Sequence, residues 1–243
     1  KLIITFIHLF KCNNYKLENF NNFLIQAKKE FLNIHYKKEK TLLIIILNVY
    51  IIYENYLKDN NEIDFDDMIS LATNMVQTTG FDRKIKYIII DEYQDTSLIR
   101  FLLIKEIIIK TKSNLLVVGD DFQSIYRFTG SNINVITHIR RYFPLVKVIK
   151  LRRTYRNSKE LIKIAGKFIM KNPYQIRKRL ISNIRCHNPV EIVYYNDLNK
   201  EINKIISKDN IDDLLILSRN NKDLEDLNIK NIKYNKMSVH KSK

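Results

Sequence analysis

The sequence has little glycine and proline, and neither residue occurs before Gly80. The first 79 residues therefore hold none of the residues that interrupt helices, and their long mixture of apolar and charged segments reads as helical. Cysteine is as scarce: Cys12 and Cys186 lie far apart, and the 5 histidines are scattered without ligand spacing. That excludes a disulfide framework, disfavours a zinc site and fits a reducing cytoplasm. Long apolar runs are missing too. Leu2 to Phe10 and Leu42 to Ile52 are the strongest, and each falls short of the roughly 20 residues of a membrane span. Both read as buried elements. The first run has no initiator Met before it and no small-residue cleavage site, so it does not read as a signal peptide, and a chain opening on Lys1 reads as a piece of something longer. Acidic residues are the last shortage, 26 against 42 basic residues for a net charge of +16. Heavy use of Ile, Lys and Asn points to AT-rich coding, yet such coding would raise Glu along with Lys, so the imbalance points to a polyanionic partner.

What is present changes character along the chain. Glu62 to Val76 is the clearest helix, with Asp64 placed to cap it and Asp66 and Asp67 in the first turn; capping is the plainer role for these acids, a metal site the other. From Tyr87 the pattern turns to short apolar runs followed by polar loops and helices. Tyr87 to Ile90 precedes a helix from about Ser97 to Lys110, Leu115 to Val118 ends at Gly119, and Val146 to Leu151 leads to a helix reaching residue 170, opened by Asn157 and Glu160 at capping-box spacing. Val190 to Tyr195 and Leu214 to Leu217 extend the pattern. Strands alternating with helices predict an α/β fold with a parallel sheet covered on its faces.

In such a sheet the ligand site lies beyond the carboxyl ends of the strands, where Asp91 and Glu92 fall. One carboxylate there can hold Mg²⁺ while its neighbour accepts a proton from an attacking water. Alone, acids at a strand end are ordinary. The second run adds weight, because Gly119 permits a tight turn and Asp120, Asp121 and Gln123 project beyond it, with an amide at Gln123 able to register a terminal phosphate. Arg156, between a strand end and a helix start, suits a phosphoryl clamp.

Taken together, DEYQD (Asp91 to Asp95), VGDDFQSIYRFTGS (Val118 to Ser131) and TYRNS (Thr154 to Ser158) resemble the second, third and fourth motifs of UvrD/Rep-type superfamily 1 helicases. MSVHKSK (Met237 to Lys243) resembles the opening of the fifth. The wording GDD-aromatic-QSIYRFTGS followed by AGKFIMKNPYQIRKRL (Ala165 to Leu180) is most similar to the helicase IV group. The resemblance implies Mg²⁺ coordination at Asp91, the catalytic base at Glu92, a γ-phosphate sensor at Gln123, adenine stacking at Tyr155 and an arginine finger at Arg156. Tyr126 and Phe128 match aromatics at the single-strand path, with core packing as their alternative, and Ser238 and His240 match positions near DNA.

The implied fold has RecA-like parallel sheets of the P-loop NTPase type. Residues 1–80 form a helical insertion subdomain, 81–150 part of the first RecA-like domain and 151–243 the start of the second, both incomplete. The implied activity is ATP-dependent 3′ to 5′ helicase movement on single-stranded DNA, or DNA with a single-stranded tail, in the cytoplasm, with DNA repair as a setting and no membrane. Departures are as specific. No G-x-x-x-x-G-K-[ST] phosphate loop occurs in these residues, the sixth motif is missing, and Thr129 stands where many relatives carry arginine. A catalytically dead remnant that binds DNA or protein is therefore the competing reading. A Mg²⁺-dependent nuclease is a weaker one, since it leaves Gln123 and Arg156 without a role.

Overall fold

A computed structural model describes residues 2–30, 33–208 and 214–227. The chain divides into two compact units, Lys1–Arg185 and Cys186–Lys243. The first opens with four helices, α1 (Leu2–Cys12), α2 (Asn19–Glu30), α3 (Asn33–Asp59) and α4 (Phe65–Thr79). Phe10, Phe20, Ile46 and Tyr50 make the core of this layer, with Phe6 and Phe23 packed on it. The rings of Phe10 and Phe20 have centroids 4.9 Å apart and those of Phe10 and Tyr50 5.1 Å, in the tilted and edge-on geometries that aromatic pairs prefer. Only one face of α1 is buried: Leu2 and Ile4 are exposed, so the expectation of a wholly buried segment holds for one stripe of it.

The structure also corrects the reading of Leu42 to Ile52 as too short for a span. α3 runs on through flanking polar residues, and His35–Asp59 is long and apolar enough by length and composition to cross a membrane. Within the fold Ile46 and Tyr50 lie in the aromatic core and Glu54 pairs with Lys11 of α1, but Ile44, Ile45, Ile51 and Ile52 are exposed, so the expectation of a buried run holds for one stripe of this helix as well.

Lys11 is the polar centre of this layer. Its buried ammonium lies 2.7 Å from Asp64, 2.7 Å from Asp67 and 2.9 Å from Glu54. Burial by itself would lower its pKa, and the three carboxylates outweigh that and hold it above the ordinary lysine value. Asp64 also caps α4, accepting from the Asp67 amide at 2.8 Å, while the Asp67 side chain accepts from the Asp64 amide at 3.3 Å. The capping role read from sequence is realised, in an all-aspartate box. Gly80 ends the helix at φ 87°, a conformation that favours glycine.

Strands β1 (Tyr87–Ile90) and β2 (Asn114–Val117) pair in parallel, Ile90 opposite Val117, joined by α5 (Leu98–Thr111) in the crossover that parallel strands need. Ile90 and Val117 pack on Tyr93, Phe101, Val135 and Ile139, the last two from the short helices α6 (Asn134–Thr137) and α7 (Ile139–Tyr142). Tyr87, Ile89 and Leu116 point the other way and are exposed, so among the described residues only one face of the sheet is covered, not both.

Further along, α8 (Lys159–Ile169) begins on Ser158, whose hydroxyl accepts from the Leu161 amide at 3.2 Å; Asn157 does not cap it. Residues 146–151, 190–195 and 214–217 form no strands. Apolar runs become strands only when a neighbour completes the ladder, and among the described residues none of these has one; the nearest pairing is an isolated parallel bridge between Arg153 and Ile181, outside all three runs. The second unit holds α9 (Leu198–Lys208) and α10 (Asn221–Glu225), with Ile206 and Leu227 buried.

Removing Lys11 leaves two half-buried aspartates facing each other, and Lys11→Met is expected to destabilise the chain by roughly 3 kcal/mol, the lower end for breaking a buried pair. The depressed pKa of Asp64, where burial raises it and the bonds from Lys11, the Asp67 amide and Tyr53 together lower it by more, makes its contribution complete at neutral pH. That contribution disappears as pH falls below the ordinary carboxylate range. Urea unfolding against pH checks both points: Lys11→Met should lower the neutral plateau and flatten this acid limb.

Candidate nucleotide and nucleic-acid site

The carboxyl ends of β1 and β2 deliver two loops to one rim. The ladder continues past the strands, with Val118 N bonded to Ile90 O at 2.8 Å and Tyr93 N to Val118 O at 2.9 Å. Asp91 and Glu92 leave the first strand exposed to solvent, and Asp91 Oδ1 accepts from the Glu92 amide at 2.9 Å. Glu92 adopts the left-handed conformation, φ 48°, which is costly for a residue with a side chain. The turn this creates sends Tyr93 and Gln94 inward, 1% and 2% exposed.

Gln94 is the residue the sequence did not single out. Its Nε2 donates to Glu92 Oε2 at 2.7 Å and its Oε1 accepts from the Asp120 amide at 3.0 Å. One buried amide thus orients the first loop's carboxylate and fixes the second loop. Gly119 is required by this contact rather than by turn geometry: a Cβ there would stand 2.8 Å from Gln94 Oε1 and 3.2 Å from Tyr93 N. Asp95 lies beneath, one carboxylate oxygen buried without a partner, and burial followed by the nearby Glu92 charge raises its pKa.

In the second loop Gln123 donates to Asp120 Oδ2 at 2.8 Å. Asp121 does not project from the rim as expected. It is buried, accepting from Ile176 N at 2.7 Å and pairing with Lys178 at 2.7 Å. Lys178 also bonds Asp120 and lies 3.9 Å from the Phe122 ring centroid, a cation–π distance. Burial raises the Asp120 pKa, but Lys178 and Gln123 hold it below the usual carboxylate range. Lys178 is more than 50 residues away in sequence, so no local spacing signals this contact.

Tyr126 and Phe128 stand in the next turns with ring centroids 6.0 Å apart, 39% and 66% exposed, so neither is a core residue. The turn is seated on α1: a Cβ on Gly130, φ 92°, would meet Cys12 Sγ at 2.8 Å, and His8 Nε2 lies 3.2 Å from Thr129 O. His8, Cys12 and Asp66 there come within 4.8 Å of one another, a grouping with metal-ligand chemistry that linear spacing concealed. Its members already satisfy each other, His8 to Asp66 at 2.7 Å and Cys12 to Asp66 at 3.2 Å. Burial and the Asp66 bond push the Cys12 thiol up to about 12.

Tyr155 and Arg156 are exposed on the loop before α8. Among the described residues no hydrogen bond, ion pair or ring contact joins them to Asp91, Glu92 or Gln123. Ser238 and His240 lie outside the described residues. The first-loop and second-loop residues are therefore brought together, and the fourth-motif residues stand apart from them.

Residues 2–144 match the UvrD/REP helicase N-terminal domain. The chain is similar to ATP-dependent DNA helicase Rep of Escherichia coli (strain K12), 32% identical over 191 residues, 73% of this chain and 28% of that protein. It is also similar to Rep of Buchnera aphidicola subsp. Baizongia pistaciae, 38% identical over 149 residues, 59% of this chain and 22% of that protein. ATP-dependent DNA helicase PcrA of Bacillus subtilis (strain 168) is 32% identical over 161 residues, 64% of this chain and 21% of that protein. The chain thus spans about a quarter of the length of these relatives. The helicase IV likeness rests on motif wording alone.

Because Gly119 packs directly on Gln94, Gly119→Ala should destabilise the chain by about 1–3 kcal/mol, as overpacking does. Gly166, inside α8 with nothing within 4 Å of a Cβ, is the control, and Gly166→Ala should be neutral or stabilising by up to about 1 kcal/mol. Chemical unfolding of the two variants side by side measures the difference.

Proposed function

The chain belongs to the UvrD/REP helicase family, and on that premise we propose that it is part of an ATP-driven DNA helicase moving 3′ to 5′ along single-stranded DNA. The observation that supports this best is the Gln94 bridge, which holds the Asp91–Glu92 loop and the Asp120–Gln123 loop to a common rim. In the proposed assignment residues 1–80 are the helical insertion, 81–150 belong to a first RecA-like domain and 151–243 begin a second. The working compartment is the cytoplasm.

The residues fit Mg²⁺ and ATP. Exposed carboxylate oxygens suit a hard cation, and Asp91 has a second oxygen beyond the one that accepts from the Glu92 amide. Mg²⁺-bound ATP, when present, supplies the phosphoryl group whose cleavage drives movement. Glu92, oriented through Oε2 by Gln94, has Oε1 to take the proton of an attacking water. Gln123 shares its amide with Asp120 and offers it to a terminal phosphate instead. Tyr155 would stack on adenine, and Arg156 would reach the γ-phosphate when the two domains close. Tyr126 and Phe128 offer exposed rings to bases, and Ser238 and His240, outside the described residues, are assigned to DNA by their motif alone.

Closure-dependent charge acts mainly on the transition state. In the full-length parent protein, Arg156→Ala should cut DNA-stimulated ATP turnover by on the order of 10³ while affinity for a non-hydrolysable analogue changes only a few-fold. Lysine should not restore it, lacking the bidentate fork. Turnover within a few-fold of the unaltered protein would overturn the motor reading in favour of a non-catalytic remnant. The 243-residue chain by itself, which contains no phosphate-loop sequence, should show no ATP turnover in a coupled assay. Phe128→Ala should weaken oligonucleotide binding by about 1–3 kcal/mol, more than removal of a neighbouring lysine.

A further inference from the structure

Behind the second loop two extended segments lie side by side. Ile181 N donates to Arg152 O at 2.8 Å and Thr154 N to Ile181 O at 3.0 Å, so the stretch around 150–154 runs parallel to that around 177–181. Lys178 turns inward to Asp120 and Asp121, while Arg177 and Arg179, which alternate with it, are exposed. Lys150 and Arg152 are exposed on the neighbouring segment, as are Leu151 between them and Arg153 beyond. With Met170 these cations line an open cavity of about 600 Å³. Lys150 donates to Arg177 O at 2.9 Å, which ties the segments together without using its charge. Among the described residues Lys150, Arg152, Arg177 and Arg179 form no ion pair.

We propose that this groove binds the phosphodiester backbone of a single nucleic-acid strand, at a site separate from Tyr126 and Phe128. Cations held together without counter-ions repel one another, and an anion relieves that cost. Guanidinium forks match phosphate oxygens with two parallel bonds. Residues i and i+2 of an extended segment stand about 6.6 Å apart, so the charges form rows that follow a chain of phosphates. A terminal phosphate is instead held by converging backbone amides, which this lining of side chains does not supply. The Lys178 anchor keeps Arg177 and Arg179 in position before any ligand arrives. The proposal rests on the helicase reading only for the choice of nucleic acid over other polyanions.

The test is fluorescence anisotropy of a labelled oligo-dT with the 243-residue chain across a salt series. Arg152→Ala/Arg177→Ala/Arg179→Ala is compared with Lys37→Ala/Lys38→Ala/Lys40→Ala, which removes the same charge from α3. The groove variant should reduce the slope of log K against log salt by about 2, three phosphates at about 0.7 each, and the α3 variant by well under 1. Equal slopes in the two variants overturn the proposal. Inorganic triphosphate is the second probe: competition that ignores oligonucleotide length overturns a strand site, and affinity that rises with length supports it. If the triple variant fails to fold, Arg177→Ala alone should lower the slope by about 0.7, and no change overturns the site. Phe128→Ala leaves the groove intact, so weak binding in that variant with the groove slope preserved concerns the aromatic site alone and separates the two readings.

Discussion

A primary amide carries a donor group and an acceptor group on a single rigid plane, and Gln94 uses both to hold the rim together. The donor orients Glu92 and the acceptor receives the Asp120 amide. Neither a carboxylate nor an aliphatic side chain of the same length could serve both partners. Because the amide is buried, each partner lost would leave an unsatisfied polar group, so the geometry around it is closely specified. The left-handed turn at Glu92, the missing Cβ at Gly119 and the inward Tyr93 ring all follow from placing that amide between the two strands.

A second constraint is charge. Two buried or half-buried lysines, Lys11 and Lys178, each face two aspartates, and each joins segments distant in sequence. Lys11 links α1 to the start of α4, and Lys178 links the 177–181 segment to the second loop. In a chain with a net charge of +16 these inward cations are compensated, as are the exposed Arg185, paired with Glu160, and Lys204, paired with Glu201. The uncompensated ones, including Arg152, Arg177 and Arg179, remain on the surface, where they set how strongly the protein attracts polyanions. The helical layer meets the rim through His8, Cys12 and Gly130, so the turn carrying Phe128 rests on α1 rather than on the sheet.

The sequence by itself determined what depends on near neighbours. The Asp64–Asp67 box, the strand Tyr87–Ile90 with its acids at the end, the crossover helix after Ser97 and the order of the motifs are all local patterns. The family follows from that order. Tertiary structure alone decided the rest. Ser158 takes the cap offered to Asn157, because local propensity does not fix which of two neighbouring polar residues closes the helix. The run at 146–151 is no strand because pairing, not apolarity, makes one. Asp121 is buried and Asp120 held ionised by a lysine more than 50 residues away, and Gln94 gains its role only when two loops meet. Contacts between distant segments leave no periodic trace in a sequence; they exist once the chain has folded and desolvated the groups that must find partners.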